Sequence, residues 1–163
     1  MKEYLGKLQG CEQFNTFCNY ACCNQGCDSS FSIFMYPNEY ENTLLPKDHI
    51  QVIKEEKNGI KIGKCKYSIE ERKMCTGIKR FKPLDCFSYP FFPVIKDNRL
   101  FLLVDKVRCP LPHYYNLNDH YCKVYNIWRD LIKNKQIYDS ICQIYIDYFS
   151  EYKNFEVNAH LKN

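Results

Sequence analysis

The residues with the clearest capacity for chemistry are eleven cysteines in a chain of 163 residues. Five of them lie close together near the start, among Asn, Gln and Gly without a periodic apolar pattern, which predicts a loop. These are Cys11, Cys18, Cys22, Cys23 and Cys27. Thiolates bind zinc or iron in tetrahedral sulfur geometry, and short spacings let one loop supply several ligands. The pattern therefore indicates metal binding without specifying the metal.

A second group of cysteines is dispersed along the chain: Cys65, Cys75, Cys86 and Cys109. Their gaps are too long for a zinc-finger knuckle, so the fold must gather them if they are ligands. Neither group has the spacing of a complete zinc site, which favours one joint site. A disulfide or redox role and simple packing in the core are the alternative interpretations of these cysteines.

Composition and charge indicate which general class of protein the chain belongs to. Hydrophobic residues make up 45% and charged residues 26% of the chain, as in ordinary globular proteins. The net charge is +4 and no long run of Lys or Arg occurs, so we expect no nucleic-acid partner. The first residues form no apolar signal region and no stretch of about 18 apolar residues occurs, so we expect a cytoplasmic protein with no membrane partner. A reducing compartment disfavours disulfides, which favours metal ligation.

Turn chemistry predicts a small sheet structure in the middle of the chain. Asn58-Gly59 and Asp97-Asn98 each lie between two apolar segments and tolerate positive φ, so each predicts a hairpin. The first hairpin would carry Cys65 on its second strand. A short helix is predicted near residues 38–41. The predicted strands cover residues 31–36, 49–55, 60–67, 91–95 and 100–104.

From residue 118 onward the apolar spacing becomes helical. Asp119 is predicted to cap a first helix. The apolar positions of the two helices are Val124, Ile127, Trp128, Leu131 and Ile132, then Ile137, Ile141, Ile144 and Tyr148. Cys122 and Cys142 are predicted to pack in the core as small hydrophobes. The fold class is α+β: a small cysteine-rich single domain over residues 1–163 with short hairpins, a metal-binding loop and a C-terminal helical segment over residues 118–163.

The cysteine pattern resembles the zinc- or iron-chelating domain family, also called the YkgJ-like cysteine-cluster proteins, and the cysteine-rich part of flagellin lysine N-methylases. The resemblance rests on the pair Cys22-Cys23, on the segment 75–90, and on Arg108-Cys109-Pro110. It implies a metal-binding region over residues 11–112. Two family arginines are replaced, by Lys82 and by Phe87. The implied ligands are Cys11, Cys18, Cys22, Cys23, Cys65, Cys75, Cys86 and Cys109.

The leading functional hypothesis is a metal-binding protein whose cysteine thiolates hold zinc or an iron-sulfur centre, such as a 4Fe-4S cluster. The core ligands would be Cys18, Cys22, Cys23, Cys75 and Cys86. The methylase resemblance implies one alternative, an iron-sulfur-dependent protein lysine N-methyltransferase or an accessory to one, so enzymatic activity stays open. A second alternative is a structural zinc module that presents a surface to a protein partner.

The histidines offer a weaker set of candidate ligands. They show no metal-type pair such as His-x3-His, and we expect surface or hydrogen-bonded residues. His113 is the best candidate among them, because it follows Cys109 closely. The four are His49, His113, His120 and His160.

Overall fold

A computed structural model describes residues 32–42, 50–66, 83–105, 109, 112, 116–146 and the backbone of 156–157. The chain divides into two compact units, Met1–Phe87 and Ser88–Asn163. Both units contain helix and antiparallel sheet, so the predicted α+β class is confirmed. The prediction of a single domain over 1–163 stays a prediction, and the predicted metal-binding loop lies outside the described residues.

The first unit contains a three-stranded antiparallel sheet in the order β1-β3-β2. Its strands are β1 (Ile33–Met35), β2 (Ile50–Glu55) and β3 (Lys61–Cys65). A short helix, α1 (Glu39–Asn42), follows β1, and α2 (Leu84–Ser88) runs to the first residue of the second unit. The predicted buried strand and short helix near the start of this region are confirmed.

The hairpin between β2 and β3 forms at the predicted turn. Gly59 has a φ of 83°, which favours glycine because that residue has no Cβ. The Asn58 side chain accepts a hydrogen bond from the Ile60 backbone N–H at 3.2 Å. The register shifts between Val52 and Lys54, so β2 contains a bulge. Cys65 is the last residue of β3, as the sequence predicted.

The second unit contains a separate three-stranded antiparallel sheet in the order β4-β5-β6. Its strands are β4 (Phe91–Lys96), β5 (Arg99–Val104) and β6 (Glu156–Val157). Asp97 and Asn98 join β4 to β5 with φ angles of 51° and 58°, the conformation of a type I′ hairpin turn. This hairpin was predicted. The strand β6 was not, because the segment 118–163 was predicted to be helical.

Two helices, α3 (Asn118–Leu131) and α4 (Lys135–Ile144), pack against this second sheet. Asn134 caps α4, because its side chain accepts a hydrogen bond from the Gln136 backbone N–H at 2.9 Å. The predicted core faces are confirmed except at Leu131 and Ile132, which are only partly buried, and Tyr148 lies outside the described residues. The buried positions on these faces are Val124, Ile127, Trp128, Ile137, Ile141 and Ile144.

Two predictions about α3 are wrong. Leu117 occupies the N-cap position without a side-chain cap, and Asp119 lies inside the first turn. Cys122 is exposed rather than buried. It precedes the buried Val124 by two residues, which places it about 200° around the helix, on the opposite face. None of the helices that the structure describes is long and apolar enough to cross a membrane.

Candidate metal centre

Two of the predicted ligands, Cys65 and Cys86, pack against one apolar cluster in the first unit. The cluster consists of the buried side chains of Ile33, Met35 and Ile50. Cys65 ends β3 directly opposite Ile50 in the β2–β3 ladder, and Cys86 lies in the middle of α2. Both cysteines are partly exposed. The fold therefore brings two distant members of the dispersed cysteine group to the same cluster.

A glycine makes this cluster possible. A Cβ atom at Gly63, in the central strand β3, would lie 2.5 Å from Ile50 Cγ2 and 3.3 Å from Met35 Cε. It would also lie 2.9 Å from the Gln51 carbonyl oxygen. The missing side chain lets the two apolar residues approach the strand that ends at Cys65.

A buried glutamate connects α2 to the segment that follows β1. One carboxylate oxygen of Glu39 accepts a hydrogen bond from the Leu84 backbone N–H at the start of α2. The other accepts one from the Tyr36 backbone N–H at 2.9 Å. Glu39 thus satisfies an N–H group at the beginning of α2 that the helix itself leaves without an acceptor.

A second buried carboxylate makes a further connection. Asp85 Oδ2 accepts a hydrogen bond from the Phe34 backbone N–H at 3.0 Å, in the middle of the edge strand β1. Asp85 directly precedes Cys86 in α2. The helix that carries the cysteine is therefore hydrogen-bonded to β1 through the neighbouring side chain.

Two buried groups near Asp85 have raised pKa values. The pKa of Glu39 is raised from 4.5 to about 7, mainly by burial; the hydrogen bonds from Leu84 and Tyr36 oppose this rise and the charge of Asp85 adds to it. Burial also raises the pKa of the Tyr36 hydroxyl well above its usual value, with smaller contributions from Asp85 and Glu39. Ionisation of Glu39 or Tyr36 is therefore less favourable in the folded protein than in water.

Sequence reasoning did not identify Glu39 and Asp85 as functional candidates. Two acidic residues in short polar segments are common on protein surfaces, and their burial depends on contacts across 45 and 51 residues. The available signal was the position of Asp85 in the first turn of α2, where a negative charge is favourable.

The other described cysteines lie in the second unit. Cys109, a predicted ligand, is buried. Cys142 is partly buried rather than fully packed, and its pKa is raised by burial and then by the Asp139 charge. Cys122 and Cys142 both belong to the helical region where no ligand was predicted.

The described residues do not contain a complete metal site. No three His, Cys, Asp or Glu side chains in that part of the chain form a group that could hold a metal ion. Cys65 and Cys86 would supply two sulfur ligands, and a tetrahedral thiolate site needs four. Of the six other predicted ligands, Cys109 is the buried residue described above, and five lie outside the described residues: Cys11, Cys18, Cys22, Cys23 and Cys75.

One of the candidate histidines lies within the described residues. His120 Nε2 donates a hydrogen bond to the Tyr89 carbonyl oxygen at 3.1 Å, and the ring packs beside Phe91 at a centroid distance of 5.6 Å. His120 is therefore hydrogen-bonded, as expected. His49, His113 and His160 lie outside the described residues.

The chain matches no protein-family model, no curated protein and no solved structure. The resemblance to the zinc- or iron-chelating family therefore stays a prediction.

Proposed function

We propose that this chain is a metal-binding protein of the cytoplasm that uses cysteine thiolates to hold zinc or an iron-sulfur cluster. The observation that carries the proposal is the arrangement of Cys65 and Cys86 on one apolar cluster. They come from different elements of the first unit and both keep partial exposure. This partial exposure leaves both thiols accessible to an incoming metal ion.

The chemistry of the donors supports the same proposal. Thiolate sulfur selects soft and borderline metals, of which zinc and iron in sulfur clusters are the usual cases in proteins. An apolar surrounding limits water access and tunes the properties of the bound metal. The remaining predicted ligands are Cys11, Cys18, Cys22, Cys23, Cys75 and Cys109. A reducing compartment keeps all of these thiols available for ligation.

Metal analysis of single variants tests this proposal. The full-length protein would be purified without oxygen, and its zinc, iron and acid-labile sulfide would be measured. Cys65→Ser and Cys86→Ser should each lose most of the metal, because a site that loses a thiolate must recruit water or a poorer ligand. Cys122→Ser is the matched control, since that thiol is exposed on α3, and it should keep the wild-type content.

The absorption spectrum separates the two metals. A brown protein with iron and sulfide in comparable amounts indicates a cluster, whereas a colourless protein with zinc indicates a zinc site. A wild-type protein that holds neither metal, and binds neither after reconstitution, would refute the proposed function. Equal metal content in Cys86→Ser and wild type would exclude Cys86 as a ligand.

A further inference from the structure

The helix that carries Cys86 cannot fix its own position. α2 contains five residues, little more than one turn, and isolated helices of this length are unstable in water. Cys65 is in a different situation. It belongs to β3, the central strand, which is hydrogen-bonded to β1 on one side and to β2 on the other. The position of Cys86 therefore depends on side-chain contacts outside its helix, whereas that of Cys65 is fixed by the backbone ladder to β2.

Two buried carboxylates supply part of those contacts through the hydrogen bonds that they accept. Glu39 accepts hydrogen bonds from the backbone N–H groups of Leu84 and Tyr36. Asp85 accepts one from the backbone N–H of Phe34. Both acidic residues are at most 8% exposed. Hydrogen bonds to charged acceptors are among the stronger ones in proteins, and a buried N–H that loses its acceptor is costly.

We propose that Glu39 and Asp85 are positioning residues that hold α2, and with it the Cys86 thiol, against the apolar cluster that Cys65 also contacts. The inference rests on the metal-binding function proposed above in one respect only, namely that Cys86 is a ligand. The effect on the position of the thiol can be measured whether or not metal is bound.

The reactivity of the two thiols is the direct test. The full-length protein as purified would be alkylated with iodoacetamide at about pH 8, where free thiols begin to ionise, and the rate at each cysteine would be followed by mass spectrometry. Glu39→Ala and Asp85→Ala should raise the rate at Cys86 about tenfold or more, which corresponds to ~1.4 kcal/mol of lost local stability. The rate at Cys65 should stay within about twofold of wild type, because β3 keeps its backbone hydrogen bonds to β1 and β2 in these variants.

Conservative variants separate positioning from the loss of side-chain volume. An asparagine at position 85 still offers an oxygen to the Phe34 N–H, so Asp85→Asn should restore a rate at Cys86 close to wild type. Glu39→Gln keeps one acceptor oxygen and turns the other into a donor, so its rate should lie between those of wild type and Glu39→Ala. If the alanine variants fail to fold, Glu39→Gln carries the test alone.

Two controls exclude a general effect. Glu41→Ala removes an exposed glutamate from the same helix as Glu39, where its partner is Lys61 at 3.1 Å, and it should leave both cysteine rates unchanged. Ile62→Val destabilises β3 by truncating a buried side chain, and it should not raise the rate at Cys86 relative to Cys65. An unchanged rate at Cys86 in the alanine variants and Glu39→Gln, or an equal rise at both cysteines, would overturn the proposal.

A measurement of zinc affinity tests whether the position of Cys86 matters for metal binding. Competition for Zn²⁺ with a chromophoric chelator should show about 10- to 100-fold weaker binding in Asp85→Ala, the usual range when a group that orients a ligand is removed. Asp85→Asn should bind Zn²⁺ nearly as well as wild type.

If wild type binds no Zn²⁺ and holds no metal, the proposed function fails, while the alkylation rates still decide whether the carboxylates position Cys86. If Asp85→Ala binds Zn²⁺ like wild type despite a reactive Cys86, positioning by Asp85 does not serve metal binding.

Discussion

Replacing Glu39 with glutamine should change how the stability of the protein depends on pH. The pKa of this buried carboxyl is raised from 4.5 to about 7, with burial as the largest cause. Between these two pH values the folded protein keeps a proton at Glu39 that the unfolded chain releases. Glutamine has no proton to lose, so the Glu39→Gln variant lacks this difference.

The sign and size of the effect follow from proton linkage. Because the protonated form favours the folded state, the contribution of Glu39 is complete below about pH 4.5 and is lost as the pH rises through about 7. Each pKa unit corresponds to about 1.4 kcal/mol, so the loss reaches at most ~3 kcal/mol. Asp85, whose charge raises the pKa of Glu39, and Tyr36, whose backbone N–H donates to Glu39, are present in both proteins.

Urea denaturation followed by circular dichroism would measure the free energy of unfolding of both proteins in steps from about pH 4 to about pH 8. Wild-type stability minus that of Glu39→Gln should fall by ~3 kcal/mol across the interval and flatten at both ends. Glu41→Gln, at an exposed position of α1, should differ from wild type by a nearly constant amount. A constant or rising difference for Glu39→Gln would refute the assignment of a raised pKa to Glu39.

Variants at three further positions test other parts of the fold. Gly63→Ala should lower the free energy of unfolding by about 1–3 kcal/mol in urea denaturation, because its Cβ would approach Ile50 Cγ2 to 2.5 Å; a neutral result would contradict the close packing on β3. Asn98→Ala should cost ~1 kcal/mol in thermal denaturation, since the residue has a φ of 58°, whereas Asn98→Gly should be nearly neutral. Cys122→Ser should change stability by less than about 0.5 kcal/mol, because the thiol is exposed. A larger loss there would place Cys122 in a packed environment.

The parts of the fold that could be predicted from the sequence are those with local causes. The Asp97-Asn98 turn follows from residues that tolerate positive φ, and the structure has that conformation at both. The spacing of Ile137, Ile141 and Ile144 follows from the helical period, and all three are buried. Such signals are contained in a few neighbouring residues, so no knowledge of the tertiary structure is needed to interpret them.

The helical period was a poorer guide to cysteine, because that residue is acceptable on either face of a helix. Cys122 was predicted to lie in the core as a small hydrophobe at a helical position, yet the buried face of α3 is defined by Val124, Ile127 and Trp128. The strand β6 was missed for a related reason. It consists of two residues paired with β5, and so short a segment has no period of its own.

In the candidate site, one cysteine lies in an element with a local sequence signal and the other does not. The sequence could therefore suggest the candidate ligands but not the contacts that position them. Cys65 could be placed in advance because a strong Asn-Gly turn fixes the strand that it ends. Cys86 could not, because the place of α2 is set by Glu39, which lies 45 residues before the N–H group that it binds. The role of such a carboxylate becomes clear only when its burial is known. An exposed carboxylate could replace its hydrogen bonds to backbone N–H groups with hydrogen bonds to water at little cost in free energy. The residues that decide where a thiol lies can therefore be less conspicuous in the sequence than the thiol itself.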